Sequence, residues 1–389
     1  MLDLLLHADV HAPEPLGERA VLVGGGRILS ITEQAPRLDG VAVRTTDLDG
    51  RRLIPGLVDA HVHVTGGGGE AGPHTAAPSP ALTAYTTAGV TSVVGLLGTD
   101  DTTRTTGGLL RQVHALRAEG LSAWAWTGGY HLPPTTLTGS VRGDIAFVEP
   151  VIGFGELAIS DHRSSQPTAD ELARLAADCH VGGLMTGKAG VLHLHLGDGA
   201  RGLDAVRQLV ETTEIPPRTF HPTHVNRRSA LFDDAVALTR AGVTIDVTAF
   251  PPAFATSDEV LAADALVRAF DAGLDGRVTV SSDGGGCLPE FDRQGELVRM
   301  DFATSAALAD LLADLLGRGV PLDRALLPFT RTPARLLRLP RKGEIAAGAD
   351  ADLVVLDADG RPESVMARGR WHVRDHRPVV RGTFEPSTP

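Results

Sequence analysis

Leu57-Val58-Asp59-Ala60-His61-Val62-His63 is the stretch from which the rest of the chain can be read. Side chains on an extended strand alternate faces, so His61 and His63 point the same way. Directly before them, Arg52-Leu53-Ile54-Pro55-Gly56-Leu57-Val58 reads as a short apolar strand running into a barrel core. Two imidazoles at the C-terminal end of such a strand can grip one divalent cation. An H-x-H pair also arises by chance in strands, so its meaning depends on the residues elsewhere.

Outward from this strand, short apolar runs alternate with helical stretches. The candidate strands are 92–96, 122–126, 151–154, 191–195, 218–221, 244–247 and 278–282, which with the strand ending at His61 makes eight. Helical segments lie between them, among them Thr168 to His180, Gly202 to Glu211 and Asp258 to Ala272. Eight strand–helix alternations in about 285 residues predict an α/β fold, a (β/α)8 TIM barrel spanning 54–338, with a doubly wound sheet as the rival. The two ends read differently. Runs at Leu2 to Leu6, Ala20 to Val23, Arg27 to Ile31 and Val41 to Val43 are β-rich, as are 351–356 and 365–371. Neither end has strands enough for a stable sheet. They are expected to pair into one small β-sandwich domain built from 1–53 and 339–389.

The composition narrows the function. With 389 residues and 42% hydrophobic content, a large core is possible. A net charge of −12 argues against nucleic acid or an anionic membrane as the main partner. No apolar run approaches a membrane span, and Met1-Leu2-Asp3-Leu4 lacks the basic start of a signal peptide. Cys179 and Cys287 make no disulfide framework. A soluble cytoplasmic protein is expected.

Catalytic groups of a barrel sit at the C-terminal ends of its strands. Those ends carry His61 and His63, Tyr130, Glu156, His195, His224 and Asp283. Four imidazoles and two carboxylates at one mouth suit two divalent cations. A water bridging such cations loses its proton near neutral pH and becomes a hydroxide nucleophile. Asp283 could take that proton and pass it to a leaving amine, while Tyr130 and metal polarise the scissile carbonyl. His193 reads as packing, and His221 as outer support at most. His74, His114, His131, His162 and His180 are assigned no role.

At this point the chain resembles the amidohydrolase superfamily, and within it the isoaspartyl dipeptidases. The likeness is carried by Gly-Leu-Val-Asp-Ala-His-Val-His (56–63), Gly-Gly-Gly-Gly-Glu-Ala-Gly-Pro (66–73), Val-Val-Gly-Leu-Leu-Gly-Thr-Asp (93–100) and Thr-Gly-Gly-Tyr-His (127–131). Ile-Ser-Asp-His-Arg-Ser (159–164), Pro-Thr-His-Val-Asn-Arg (222–227) and Ser-Ser-Asp-Gly-Gly-Gly (281–286) extend it. The resemblance implies a zinc peptidase, often a homo-oligomer, cleaving dipeptides joined through the aspartate side chain. The ligand set alone would also accept manganese or cobalt. By the same resemblance Glu70 takes the substrate's amino group, Arg163 and Arg227 its carboxylates, and Tyr130 its carbonyl. Thr99 and Cys287 fall in substrate-binding segments.

Two positions depart from that family's pattern. Many relatives carry a lysine on strand 4 whose carbamate bridges the metals. This chain has only Lys188 and Lys342, and Glu156 stands in the lysine's place. The expectation is that Glu156 bridges directly, without a carbamylated lysine, on a strand bulged at Gly153 and Gly155. Cys287 stands where relatives tend to have serine, a change that affects substrate preference or is neutral. The alternatives are an amidohydrolase acting on another N-acyl or cyclic amide of an amino-acid-like substrate, and a non-catalytic scaffold.

Overall fold

The computed structural model describes residues 2–252, 258–291 and 297–386. Eight short strands share one direction: β1 (Leu57–Val62), β2 (Val90–Gly95), β3 (Ser122–Thr127), β4 (Val151–Ile159), β5 (Val191–Leu196), β6 (Phe220–Thr223), β7 (Ile245–Thr248) and β8 (Val278–Ser281). Strands β1 to β6 form a six-stranded parallel sheet in sequence order, and β7 pairs with β8. The sheet curls. A parallel bridge joins Val62 to Gly284, just past β8, and the His63 amide donates to Gly284 O at 2.8 Å. The Asn226 side chain, just past β6, donates to Thr248 O and accepts from the Thr248 amide, tying β6 to β7. This is an α/β arrangement consistent with a (β/α)8 barrel.

The strands read as apolar runs because both faces are covered. The helix at Ala169–Thr186 illustrates the outer cover: Leu172, Leu175, Ala176 and Cys179 are buried at helical spacing. Thr168 and Glu171 close a capping box at its start, and Gly187 in the left-handed region ends it. The helix runs past the expected stop at His180. No described helix is long and apolar enough to cross a membrane.

Both chain ends contribute to one nine-stranded sheet. Leu2–His11 is central, pairing antiparallel with Pro15–Gly24 and parallel with Val43–Asp47 and Arg52–Pro55. Arg52–Pro55 in turn pairs with Leu353–Leu356 from the far end. The apolar run 52–58 therefore does not act as one strand. It splits at Gly56, where an added Cβ would stand 2.1 Å from Thr91 Oγ1, and Leu57 onward joins the parallel sheet. The expected run 365–371 splits too. Arg368 and Gly369 both take positive φ, as a tight hairpin turn needs, and separate Pro362–Ala367 from Arg370–Arg374.

Strand β4 carries the irregularity that shapes the site. Its register slips by one residue against β3 between Val151 and Gly153, and against β5 between Phe154 and Leu157. Such bulges bend a strand and re-aim its side chains. The backbone is tightly enclosed there: a Cβ on Gly153 would stand 2.4 Å from Val191 O and 2.7 Å from the Trp126 ring. Gly153→Ala should therefore destabilise the fold by about 1–3 kcal/mol. A lowered melting temperature in calorimetry is the expected result, and an unchanged one would contradict this packing.

Candidate active site

Glu156 lies at the middle of a buried cluster at the C-terminal ends of the parallel strands. Its Oε2 is 3.1 Å from His195 Nδ1 and 3.6 Å from both His61 Nε2 and His224 Nε2. Its Oε1 is 3.5 Å from His63 Nε2. Asp283 Oδ1, just past β8, faces the H-x-H pair, 3.3 Å from His61 Nε2 and 3.1 Å from His63 Nε2. Three overlapping triads result: His61, His63 and Glu156; His61, His224 and Asp283; Glu156, His195 and His224. All six residues predicted as metal ligands are brought together.

The donor set fits cations. His61 Nε2, Glu156 Oε1 and Asp283 Oδ1 are buried with no hydrogen-bond partner among the described residues. Buried polar atoms are almost always partnered, so lone pairs facing one another call for a positive centre. Burial opposes charge on His61, yet Glu156, Asp283 and Asp246 raise its pKa to about 9. Burial would push Glu156 up, but His61, His195 and His224 hold it well below the ordinary carboxylate range. Asp283 likewise overcomes burial through His61 and His63 and is held low. Burial drives His224 down to about 3, leaving a neutral imidazole. His224 and Asp283 both have left-handed backbone, φ 60° and φ 52°. Non-glycine residues held there mark places where function outweighs strain.

A polar rim surrounds the cluster. The Tyr130 hydroxyl lies 2.8 Å from His195 Nδ1, and burial with the Glu156 charge pushes its pKa well up, so it remains a proton donor. Arg163 stands over the Tyr130 ring, 5.5 Å from its centroid, and Nη1 donates to Glu70 Oε1 at 3.2 Å. Arg227 has a different partner. Its Nη1 is 3.8 Å from Asp198, and its buried Nε has no partner among the described residues. The Cys287 thiol donates to Thr75 O at 3.4 Å, under the loop that carries Glu70. Thr99 is half-buried and follows Gly98, where a Cβ would meet the His63 ring at 2.6 Å.

Residues 52–372 match the amidohydrolase family. The chain belongs to that family. A solved β-aspartyl dipeptidase from Fervidobacterium islandicum AW-1, in complex with β-Asp-Leu, is 39% identical over 97% of both chains with a TM-score of 0.92. The imidazolonepropionase of Streptomyces coelicolor is 25% identical, with 92% of each chain covered. The dihydropyrimidinase of Brevibacillus agri, at 16% identity and a TM-score of 0.70, shares the fold.

In this amidohydrolase both lysines are engaged away from the cluster. Lys188 Nζ donates to Ile145 O and Val148 O, and Lys342 pairs with Asp352 and Asp350. Several residues around the cluster carry no signal that sequence reading picks out. Asp161 Oδ2 accepts from Arg163 Nη2 at 2.7 Å and lies 3.0 Å from His195 Nε2, tying an imidazole of the cluster to a rim guanidinium. An acid two residues before Arg163 at a strand end was the available signal. His131, assigned no role, bridges Asp101 Oδ1 and Arg163 O at 2.9 Å each. His193, read as packing, has its Nε2 only 2.8 Å from His61 Nδ1. Asp59, pushed up to about 6 by burial, accepts from Ser282 and Ser305 and pins β1 to the end of β8.

Proposed function

We propose that this amidohydrolase hydrolyses β-aspartyl dipeptides with two divalent cations, zinc in the first instance. The proposed catalytic unit is a (β/α)8 barrel of residues 54–338, with the terminal sheet of 1–53 and 339–389 as a sandwich domain. The observation that carries the reading is the Arg163–Glu70 pair, 3.2 Å apart, beside Tyr130 and the six-residue donor cluster. A β-aspartyl bond leaves the α-amino and α-carboxyl groups of aspartate free next to the scissile amide. Carboxylate and guanidinium side by side are the complement of that zwitterion. The likeness to a dipeptidase bound to β-Asp-Leu supports the same substrate class.

His61, His63 and Glu156 would hold one cation, and His195 and His224 the other, with Glu156 between and Asp283 against the first. When bound, such cations acidify a water and polarise a carbonyl. The residues do the rest. Asp283, held ionised by His61 and His63, accepts a proton from the attacking water and returns it to the leaving amine. Tyr130 is free to turn its hydroxyl from His195 to the carbonyl oxygen, where negative charge develops. Arg163 exchanges Glu70 for the substrate α-carboxylate, and Glu70 receives the ammonium. Arg227, whose buried Nε has no partner among the described residues, takes the second carboxylate.

A substrate panel on zinc-loaded protein tests this. β-Asp-Leu should exceed α-Asp-Leu in kcat/KM by about 100-fold, since charged hydrogen bonds are each worth about 1.5–3 kcal/mol. Dihydrouracil and N-acetylleucine should be turned over poorly or not at all. Preference for either of these would replace the reading with a cyclic-amide or N-acyl hydrolase.

A further inference from the structure

Behind His61 a file of buried polar groups crosses the interior of the curled sheet. His61 Nδ1 is 2.8 Å from His193 Nε2. His193 Nδ1 is 2.9 Å from His221 Nδ1 and 3.1 Å from His221 O. His221 Nε2 is 2.9 Å from Thr279 Oγ1, and Thr279 Oγ1 is 2.5 Å from Asp246 Oδ1. All five residues are fully buried, and they come from β1, β5, β6, β8 and β7. Trp126 stacks on the His193 ring at 5.3 Å and fixes its plane.

The sense of this chain is determined at its far end. The Asp246 carboxylate accepts hydroxyls from Thr223, Ser281 and Thr279, so it acts as an acceptor only. Thr279 therefore donates to Asp246 and accepts from His221 Nε2–H. His221 then has a bare Nδ1 and accepts from His193 Nδ1–H. That leaves His193 Nε2 as an acceptor, and His61 must carry its proton on Nδ1. Run in reverse, the chain would need a protonated Asp246 and would put a proton on His61 Nε2, aimed at Glu156 and Asp283.

We propose that Asp246, Thr279, His221 and His193 are positioning residues that select the Nδ1–H tautomer of His61 and so keep Nε2 bare for a cation. This rests on the reading of the cluster as a metal centre. None of the four faces substrate; they act through His61, as outer hydrogen-bond partners of metal ligands generally do.

Thr279→Val keeps the side chain's shape and deletes the hydroxyl. In chelator competition on the full-length chain, it should weaken zinc binding by about 10- to 100-fold, while Thr279→Ser stays near wild type. His193→Leu should weaken zinc binding similarly. His193→Gln, whose amide oxygen can stand where Nε2 was, should recover part of the loss. Nitrogen-15 shifts of metal-free wild-type protein held above pH 9, where His61 is neutral, should show it as the Nδ1–H tautomer, which needs no variant to fold. Wild-type zinc affinity in Thr279→Val, or an Nε2–H tautomer for His61, would overturn the chain while leaving the metal centre standing. Wild-type protein that takes up no zinc would instead sink the metal-centre reading and the chain with it.

Discussion

Glu156→Ala should lower bound zinc from about two ions per chain to one or fewer and reduce turnover of β-Asp-Leu by more than about 100-fold. The expectation follows from geometry. Glu156 belongs to two of the three candidate triads, and its two oxygens face imidazoles from four positions. Even outer partners of metal ligands typically cost about 10- to 100-fold when removed, and a shared carboxylate should cost more. A lysine carbamate reaches about 3–4 Å further from its backbone than a glutamate does, by ordinary bond lengths. The bulges of β4 provide a means of bringing a shorter side chain inward. Reconstitution with zinc should accordingly be indifferent to bicarbonate. Metal analysis and activity with and without bicarbonate check both statements, and a strong bicarbonate requirement would contradict them.

Asp283→Asn should separate binding from chemistry. The amide preserves size but cannot accept and return a proton, so kcat should fall by about 100- to 10,000-fold. KM should move much less, because Glu70, Arg163 and Arg227 are untouched. Zinc held through Glu156, His195 and His224 should remain, since Asp283 is not a member of that triad. Steady-state kinetics together with metal content would decide. A large rise in KM with kcat preserved would assign Asp283 to binding rather than proton transfer.

Much of the site was legible because its residue types are costly to bury without purpose. Four histidines and two carboxylates at matching strand ends are poor packing material, and their spacing along the chain tracked the strand–helix rhythm. The bulging of β4 was legible in Gly153 and Gly155, which precede Glu156. Other features needed register. A lone histidine on a strand is ordinarily packing, and only the alignment of His193 with His221 across β5 and β6 joins them to His61. Asp246 and Thr279 belong to the same file through the neighbouring pair of β7 and β8. Asp161 was hidden because its value lies in touching His195 and Arg163 at once, a contact that sequence spacing does not announce. The split of 52–58 at Gly56 was hidden for a different reason: both halves are equally apolar, and only pairing partners distinguish them.

Anomalous diffraction from zinc-loaded crystals, collected above and below the zinc edge, tests the shared-carboxylate centre most directly. Two peaks are predicted, with the Glu156 carboxylate between them and ligand atoms at about 2.0–2.2 Å from each. A single peak, or a Glu156 side chain turned out of the cluster, would contradict the account.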